Sequence, residues 1–177
     1  KPYFLKAENN EQFEDEHHAQ GGPLNVTFPN IVSPLEQDFV AASEALQYKH
    51  NPDFNGEIQE GVGIHQATQK NGQRWSSSKA YLHPAMQRPN LTILTDAAVK
   101  RVLLEGDRAS GVELIDGRQL SAKREIIVSA GAVVSPKILM LSGIGDPAEL
   151  SPHGIELKHN LIGVGKNLQD HAAVALQ

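Results

Sequence analysis

Cysteine is absent from all 177 residues. That absence removes a disulfide framework, a thiolate metal site and covalent catalysis through sulfur, while leaving the compartment open. Also missing is any apolar run near the roughly 18–20 residues needed to span a bilayer. The opening Lys1-Pro2-Tyr3-Phe4-Leu5-Lys6 is too short and too interrupted for a signal peptide, so no transmembrane segment is expected. There is no block of like charge: the net charge of −5 comes from interspersed acids and bases, and the longest acidic cluster, Glu11 to Glu16, is broken by Gln12 and Phe13. A nucleic-acid partner is therefore disfavoured. No Met stands at position 1, which points to an internal or proteolytic boundary rather than a gene start. Internal repeats and low-complexity tracts are lacking as well.

What is present is ordinary for a soluble globular protein. With 40% hydrophobic and 21% charged residues, wholesale disorder is disfavoured, and the length suits either a domain with a sizeable core or a section of a larger protein. Gly21-Gly22-Pro23 punctuates the chain before a strand from Leu24 to Phe28 that alternates with period two. Ser33-Pro34-Leu35-Glu36 reads as an N-cap, a first-turn proline and the Glu of a capping box. Leu35, Phe39, Ala42 and Leu46 then recur at helical spacing, which predicts a helix over about 34–47. Residues 51–63 are rich in turn formers, and Val62 to Ser76 suits a partly exposed strand pair turning at Asn71-Gly72. Ser76-Ser77-Ser78 caps a short helix through Ala80, Leu82 and Met86 that must stop before Pro89.

From residue 91 the pattern becomes a β-meander: Leu91 to Leu104, Ala109 to Ile115 and Leu120 to Val128, separated by Glu105-Gly106-Asp107 and Asp116-Gly117. Its last segment ends in the branched run Ile126-Ile127-Val128, as in strands buried on both faces. The small residues Ser129-Ala130-Gly131-Ala132 follow, then a helix from Ser135-Pro136 to Leu141 ending at Gly143, and a short helix around Ala148 to Leu150. A buried strand, a small-residue turn and a helix are how α/β proteins bring a nucleotide to a strand's carboxyl end, although any α/β domain needs such turns.

The eight histidines do not make a metal site: no His-x-x-x-His pair falls on a predicted helix, and His17-His18 point apart on an extended chain. No serine has the Gly-x-Ser-x-Gly context of a hydrolase elbow. His171 follows Asp170 and could pass for a base, but a structural or cavity-lining role is preferred for it.

The run from Gly131 through Ser135-Pro136-Lys137-Ile138-Leu139-Met140-Leu141-Ser142-Gly143 to Gly145 resembles the second sequence signature of the glucose-methanol-choline flavin oxidoreductases. Further stretches follow the family's order: Lys1 to Glu8; His18-Ala19-Gln20-Gly21-Gly22-Pro23-Leu24; Asp53-Phe54-Asn55-Gly56 with Glu60-Gly61-Val62-Gly63; Gly72-Gln73-Arg74-Trp75; Arg88-Pro89-Asn90-Leu91; and Gly163 to His171. The Arg88 and Asn167-Leu168-Gln169-Asp170-His171 stretches are nearest the choline and alcohol dehydrogenase branch. The family's Gly-x-Gly-x-x-Gly fingerprint and the segment with its catalytic histidine are not in this chain.

The resemblance implies an α+β fragment, with part of a substrate domain at 1–89, part of an FAD-binding domain at 90–145 (meander, buried strand, short helix) and a return to the substrate domain at 146–177. It implies part of an enzyme that oxidises a primary alcohol, choline-like, aliphatic or aromatic, to an aldehyde by hydride transfer to flavin. The isolated chain would be inactive and hold no catalytic residue. FAD is the implied cofactor, met by the Val99 backbone and by Ala130 and Gly131, where a side chain larger than methyl would collide with the adenosine part. Asp53, Phe54, Asn55, Asn167 and His171 are the implied substrate-cavity candidates. The implied partners are a small alcohol and the rest of the parent polypeptide, in the cytoplasm or peripheral to the inner membrane. The other reading is a cofactor-free binding or assembly module derived from such an enzyme. The identity of the alcohol and the electron acceptor stay open.

Overall fold

The computed structural model describes residues 1–171, arranged as two compact units, 1–92 and 93 onward. In the first, helix α1 (Pro2–Ala7) runs directly into strand β1 (Glu8–Asn10), which pairs in parallel with β2 (Leu24–Val26). A side chain on Gly22 would collide with the Ala7 and Glu8 backbone, so this glycine is required by close approach. Helix α2 (Pro34–Ala45) opens on the expected capping box: Ser33 Oγ accepts from Glu36 N, and the Glu36 carboxylate accepts from Ser33 N. Its apolar residues Leu35, Phe39 and Leu46 are exposed, so the periodicity marks a face with no cover among the described residues.

Asn71 and Gly72 both have positive φ (51° and 72°), the backbone that a two-residue hairpin needs. They join β3 (Gln69–Lys70) to β4 (Gln73–Arg74), so the strand pair is shorter than the 62–76 span expected. The serine run leads into a π-helical turn, Ser78–Leu82, continued by the short helix α3 (His83–Ala85), and ends before Pro89.

In the second unit β5 (Val99–Glu105), β6 (Arg108–Leu114) and β7 (Gln119–Ser121) form an antiparallel meander with its turns at Gly106 and Gly117. Two expectations are corrected here. Residues 91–98 form no strand, and neither does Ile126-Ile127-Val128. Ile127 is exposed and Ile126 and Val128 are only half-buried, because a strand buried on both faces exists only with neighbours to pair with and cover it, and no described residue pairs with this run. Helix α4 (Gly131–Leu141) starts four residues before the expected Ser135 and carries Pro136 within it. It packs on β5, and Ser142 Oγ accepts from Val102 N at 2.8 Å while donating to Ile138 O. Beyond it, β8 (Ile144–Gly145) pairs in parallel with β9 (His159–Asn160), with helix α5 (Pro147–Leu150) between them, capped by Asp146. Residues 146–171 thus pack within the second unit, and no unit boundary falls at 146.

Candidate functional site

The residues expected to meet a cofactor, Val99, Ala130 and Gly131, all lie in the second unit. Val99 is the half-buried first residue of β5, opposite Leu114, with a bulge between it and Arg101. Ala130 and Gly131 form the exposed N-terminal end of α4, where Ala130 N donates to Ser135 Oγ at 3.1 Å. Gly131 has φ +84°, and nothing described lies within 4 Å of the place a Cβ would occupy. The small residue therefore answers to backbone conformation, and the space beside it is open. Ile127, Val133 and Val134 flank it as exposed apolar surface. An open, small-residue helix start with apolar flanks fits one wall of a flat heteroaromatic group such as the adenine part of FAD. No glycine-rich phosphate cradle accompanies it in this sequence.

The substrate-cavity candidates divide between the units. Asn167 (φ +54°) and His171 are exposed in the second, and the only partner of the His171 ring among the described residues is Asp170 at 3.4 Å. Asp53, Phe54 and Asn55 lie in the first, on a loop organised by its own polar groups. Asn51 Oδ1 accepts from Asp53 N, Asn51 Nδ2 donates to Ile58 O, and Asp53 Oδ1 accepts from Asn55 N. Asn51 N donates to Val62 O and Val62 N to Lys49 O, which closes the loop at its base. Phe54 stacks on His65 with ring centroids 4.3 Å apart. Asn55 lines a pocket of about 430 Å³ with Phe4, Glu8, His17, His18 and Leu24.

Sequence reasoning missed the most deeply buried ionisable group. His18 is 3% exposed and sits between two carboxylates, with Nδ1 3.1 Å from Glu8 Oε1 and Nε2 2.9 Å from Asp53 Oδ2. Burial disfavours the charged ring, but the hydrogen bonds to Glu8 and Asp53 and their charges outweigh it, so the pKa of His18 stands above its ordinary 6.5. Its partners lie 10 and 35 residues away, and no spacing pattern announces them. Around it runs a hydrogen-bonded polar interior: Asn10 Oδ1 accepts from the backbone of Gln12 and Phe13 and from Gln66 Nε2, and Asn25 links Asn9, Glu11 and Gln69 O.

The GMC oxidoreductase family model matches residues 1–173. The chain belongs to that family. It is 46% identical to an alcohol dehydrogenase [acceptor] of Pseudomonas putida over 98% of its length, and 44% identical to the mitochondrial choline dehydrogenase of Mus musculus over 99%. It spans 32% of the first relative's length and 30% of the second's. The fold matches pyridoxine 4-oxidase from Mesorbium loti with TM-score 0.82 and 33% identity, covering 90% of this chain and 32% of that one. An FAD-dependent oxidoreductase from Chaetomium thermophilum matches with TM-score 0.82 and 26% identity, over 92% of this chain and 31% of that one. The expected mixed architecture of helix and strand is thus the fold of known family members. No helix among the described residues is long and apolar enough to cross a membrane.

Proposed function

We propose that this chain is part of an FAD-dependent oxidoreductase that converts a primary alcohol to its aldehyde, with a choline-like or simple aliphatic or aromatic alcohol as substrate. The observation that carries the reading is the family match over residues 1–173, joined to similarity with alcohol and choline dehydrogenases along nearly the whole chain. When bound, FAD supplies the acceptor for the hydride. This chain's own contribution is positional. Residues 90–145 are assigned to the FAD-binding part, where the Val99 backbone and the Ala130-Gly131 helix start hold the adenosine end. Residues 1–89 and 146–177 are assigned to the substrate part, with Asp53, Phe54, Asn55, Asn167 and His171 toward the substrate. The base that takes the hydroxyl proton lies outside this sequence.

The test is the intact protein's absorbance and its turnover on a panel of choline, aliphatic and aromatic alcohols, beside the 177-residue chain alone. The intact protein is expected to carry flavin and reduce it with at least one alcohol, and the isolated chain to do neither. A colourless intact protein that releases no flavin on denaturation overturns the reading in favour of a cofactor-free module. Gly131 provides a finer test. Ala and Val both meet an unfavourable φ there, which costs the β-branched Val more, so the stability of each variant is measured beside its affinity, and only the bulk of Val intrudes on a bound ring. FAD affinity should fall about five- to a hundredfold further for Gly131→Val than for Gly131→Ala, from an overpacking cost of roughly 1–3 kcal/mol. Equal affinities would remove Gly131 from the cofactor wall.

A further inference from the structure

We propose that His18 is a positioning residue: bridging Glu8 on β1 to Asp53, it latches the 51–63 loop, which carries Phe54, to the first sheet and fixes Asn55 beside its pocket. Three facts on three segments carry this. Both ring nitrogens face carboxylate oxygens, which are acceptors when ionised, and a ring that donates to both is an imidazolium. The Asn10 amide oxygen is fixed by the Gln12 and Phe13 amides, so its nitrogen stands 3.0 Å from Gln66 Oε1, 3.2 Å from His18 Nδ1 and 3.3 Å from Glu8 Oε1, and beside a charged ring it donates to Gln66 and Glu8. Asp53, in turn, is where the loop's internal bonds and the latch meet: Oδ2 receives His18 while Oδ1 receives Asn55 N. Asn55 is thereby placed three hydrogen bonds from the sheet, on the rim of the pocket it shares with Glu8 and His18.

The charges facing His18 are Glu8 from β1, Asp53 from the loop and Asp15 from its own turn, whose Oδ1 accepts from the His18 backbone at 2.9 Å. The neighbouring His17 is directed to Glu16 at 3.4 Å. Every ionisable partner of the ring is therefore acidic, and the latch is a cation held in an anionic cage. It is closed when the ring is charged and released when the ring loses its proton. The raised pKa sets the window. The latch is complete below the ordinary histidine value and opens as pH rises through the higher folded one.

The assignment of Phe54 and Asn55 to substrate rests on the function proposed above, so the experiment separates the two. In the intact protein labelled with ¹⁵N-histidine, both His18 ring nitrogens should still show imidazolium shifts at the ordinary histidine pKa, where a free ring is half neutral, and a predominantly neutral tautomer there overturns the latch. Amide exchange of residues 51–63 should rise about tenfold or more in His18→Gln, and also in Asp53→Asn, which keeps shape and removes the charge. Unchanged exchange in the folded Asp53→Asn protein overturns the latch as well. With an alcohol substrate, both variants should raise KM by a larger factor than they lower kcat, and the wild-type KM should climb on the alkaline side of the His18 titration. If exchange rises and KM does not, the loop is latched but does not position substrate, and that part of the proposal falls. If the protein holds no flavin and oxidises no alcohol, the function proposed above fails while the nitrogen shifts and exchange rates still decide the latch.

Discussion

In the first unit the side chains withdrawn furthest from water are polar, Asn10, His18, Asn25, Thr27 and Asn51, with Ala80 the one buried hydrophobic residue among those described. In the second they are Val102, Leu114, Ile138, Leu150 and Val164, joined by Glu113 and Ser142. The two halves of one chain thus reach a defined structure by different physics. Apolar burial is non-directional and tolerates pH, whereas a buried amide network is worth little net per bond but is expensive to interrupt. The first unit should therefore be sensitive to which atoms are present and to their protonation, and the second to how much volume is filled.

The largest expected effect is in the apolar unit. Leu114 and Leu150 are each 1% exposed, and truncating either to Ala removes its transfer energy and leaves a cavity, about 2–5 kcal/mol. Segment-resolved hydrogen exchange in the intact protein should show β5 and β6 losing protection while β1 and β2 keep theirs. Loss in both segments together would mean that the units unfold as one, and the contrast drawn here would be one of composition only.

Next in size is Asn10→Leu, which adds apolar area but strands the Gln12 and Phe13 amides and Gln66 Oε1, while Gln66 Nε2 keeps only Gln12 Oε1. A loss of about 1–3 kcal/mol is expected, confined to residues 1–92. A neutral or stabilised variant would show that the polar interior is wet or replaceable.

Protonation sharpens the contrast. In the second unit Glu113 is held below its ordinary 4.5 by hydrogen bonds from Lys100 and then Arg101, and Asp116 below 3.8 by the Arg118 backbone and side chain. These contributions are present above the ordinary values and fade as pH falls through the lowered ones. Glu11 and Asp15 of the first unit behave the same way, Glu11 chiefly through Asn25 and Asp15 through the His17 amide. His18 has the opposite sign, present at low pH and lost as pH rises. Acid should then loosen both units and mild alkali only the first. Exchange rates corrected for their intrinsic pH dependence measure this, and alkaline loosening of β5 to β7 would contradict it.

Legibility followed locality. The Ser33 capping box, the Asn71-Gly72 turn, the meander with its turns at Gly106 and Gly117, and the Asp146-led helix are written within a few neighbouring residues, and a reader of the sequence can find them. Ile126-Ile127-Val128 could not be settled in that way. Branching gives a strand its propensity, but pairing is non-local, and no described residue supplies the neighbour. His18 was hidden for the same reason, because what makes it unusual is two carboxylates brought to it by folding. Ala130 and Gly131, proposed for the cofactor wall, were visible as small residues, yet the positive φ that favours glycine at 131 was not.

The smallest effect tests whether the first unit's exposed helix takes part in the contrast at all. Helix α2 buries none of its residues, so packing gives it little support, and its start depends on the reciprocal bonds between Ser33 and Glu36. Ser33→Ala removes the hydroxyl that accepts from Glu36 N and leaves the bond from the backbone N of residue 33 to the Glu36 carboxylate in place. That should cost about 1 kcal/mol. Because a helix of 12 residues is marginal in water without tertiary support, the loss should appear as local fraying of residues 34–45 and not as unfolding of the Asn10 network. Exchange of the α2 amides should quicken severalfold while those of β1 and β2 stay as they were. If α2 is indifferent to the cap, something covers Leu35, Phe39 and Leu46 in the intact protein, and this helix belongs with the apolar half of the comparison.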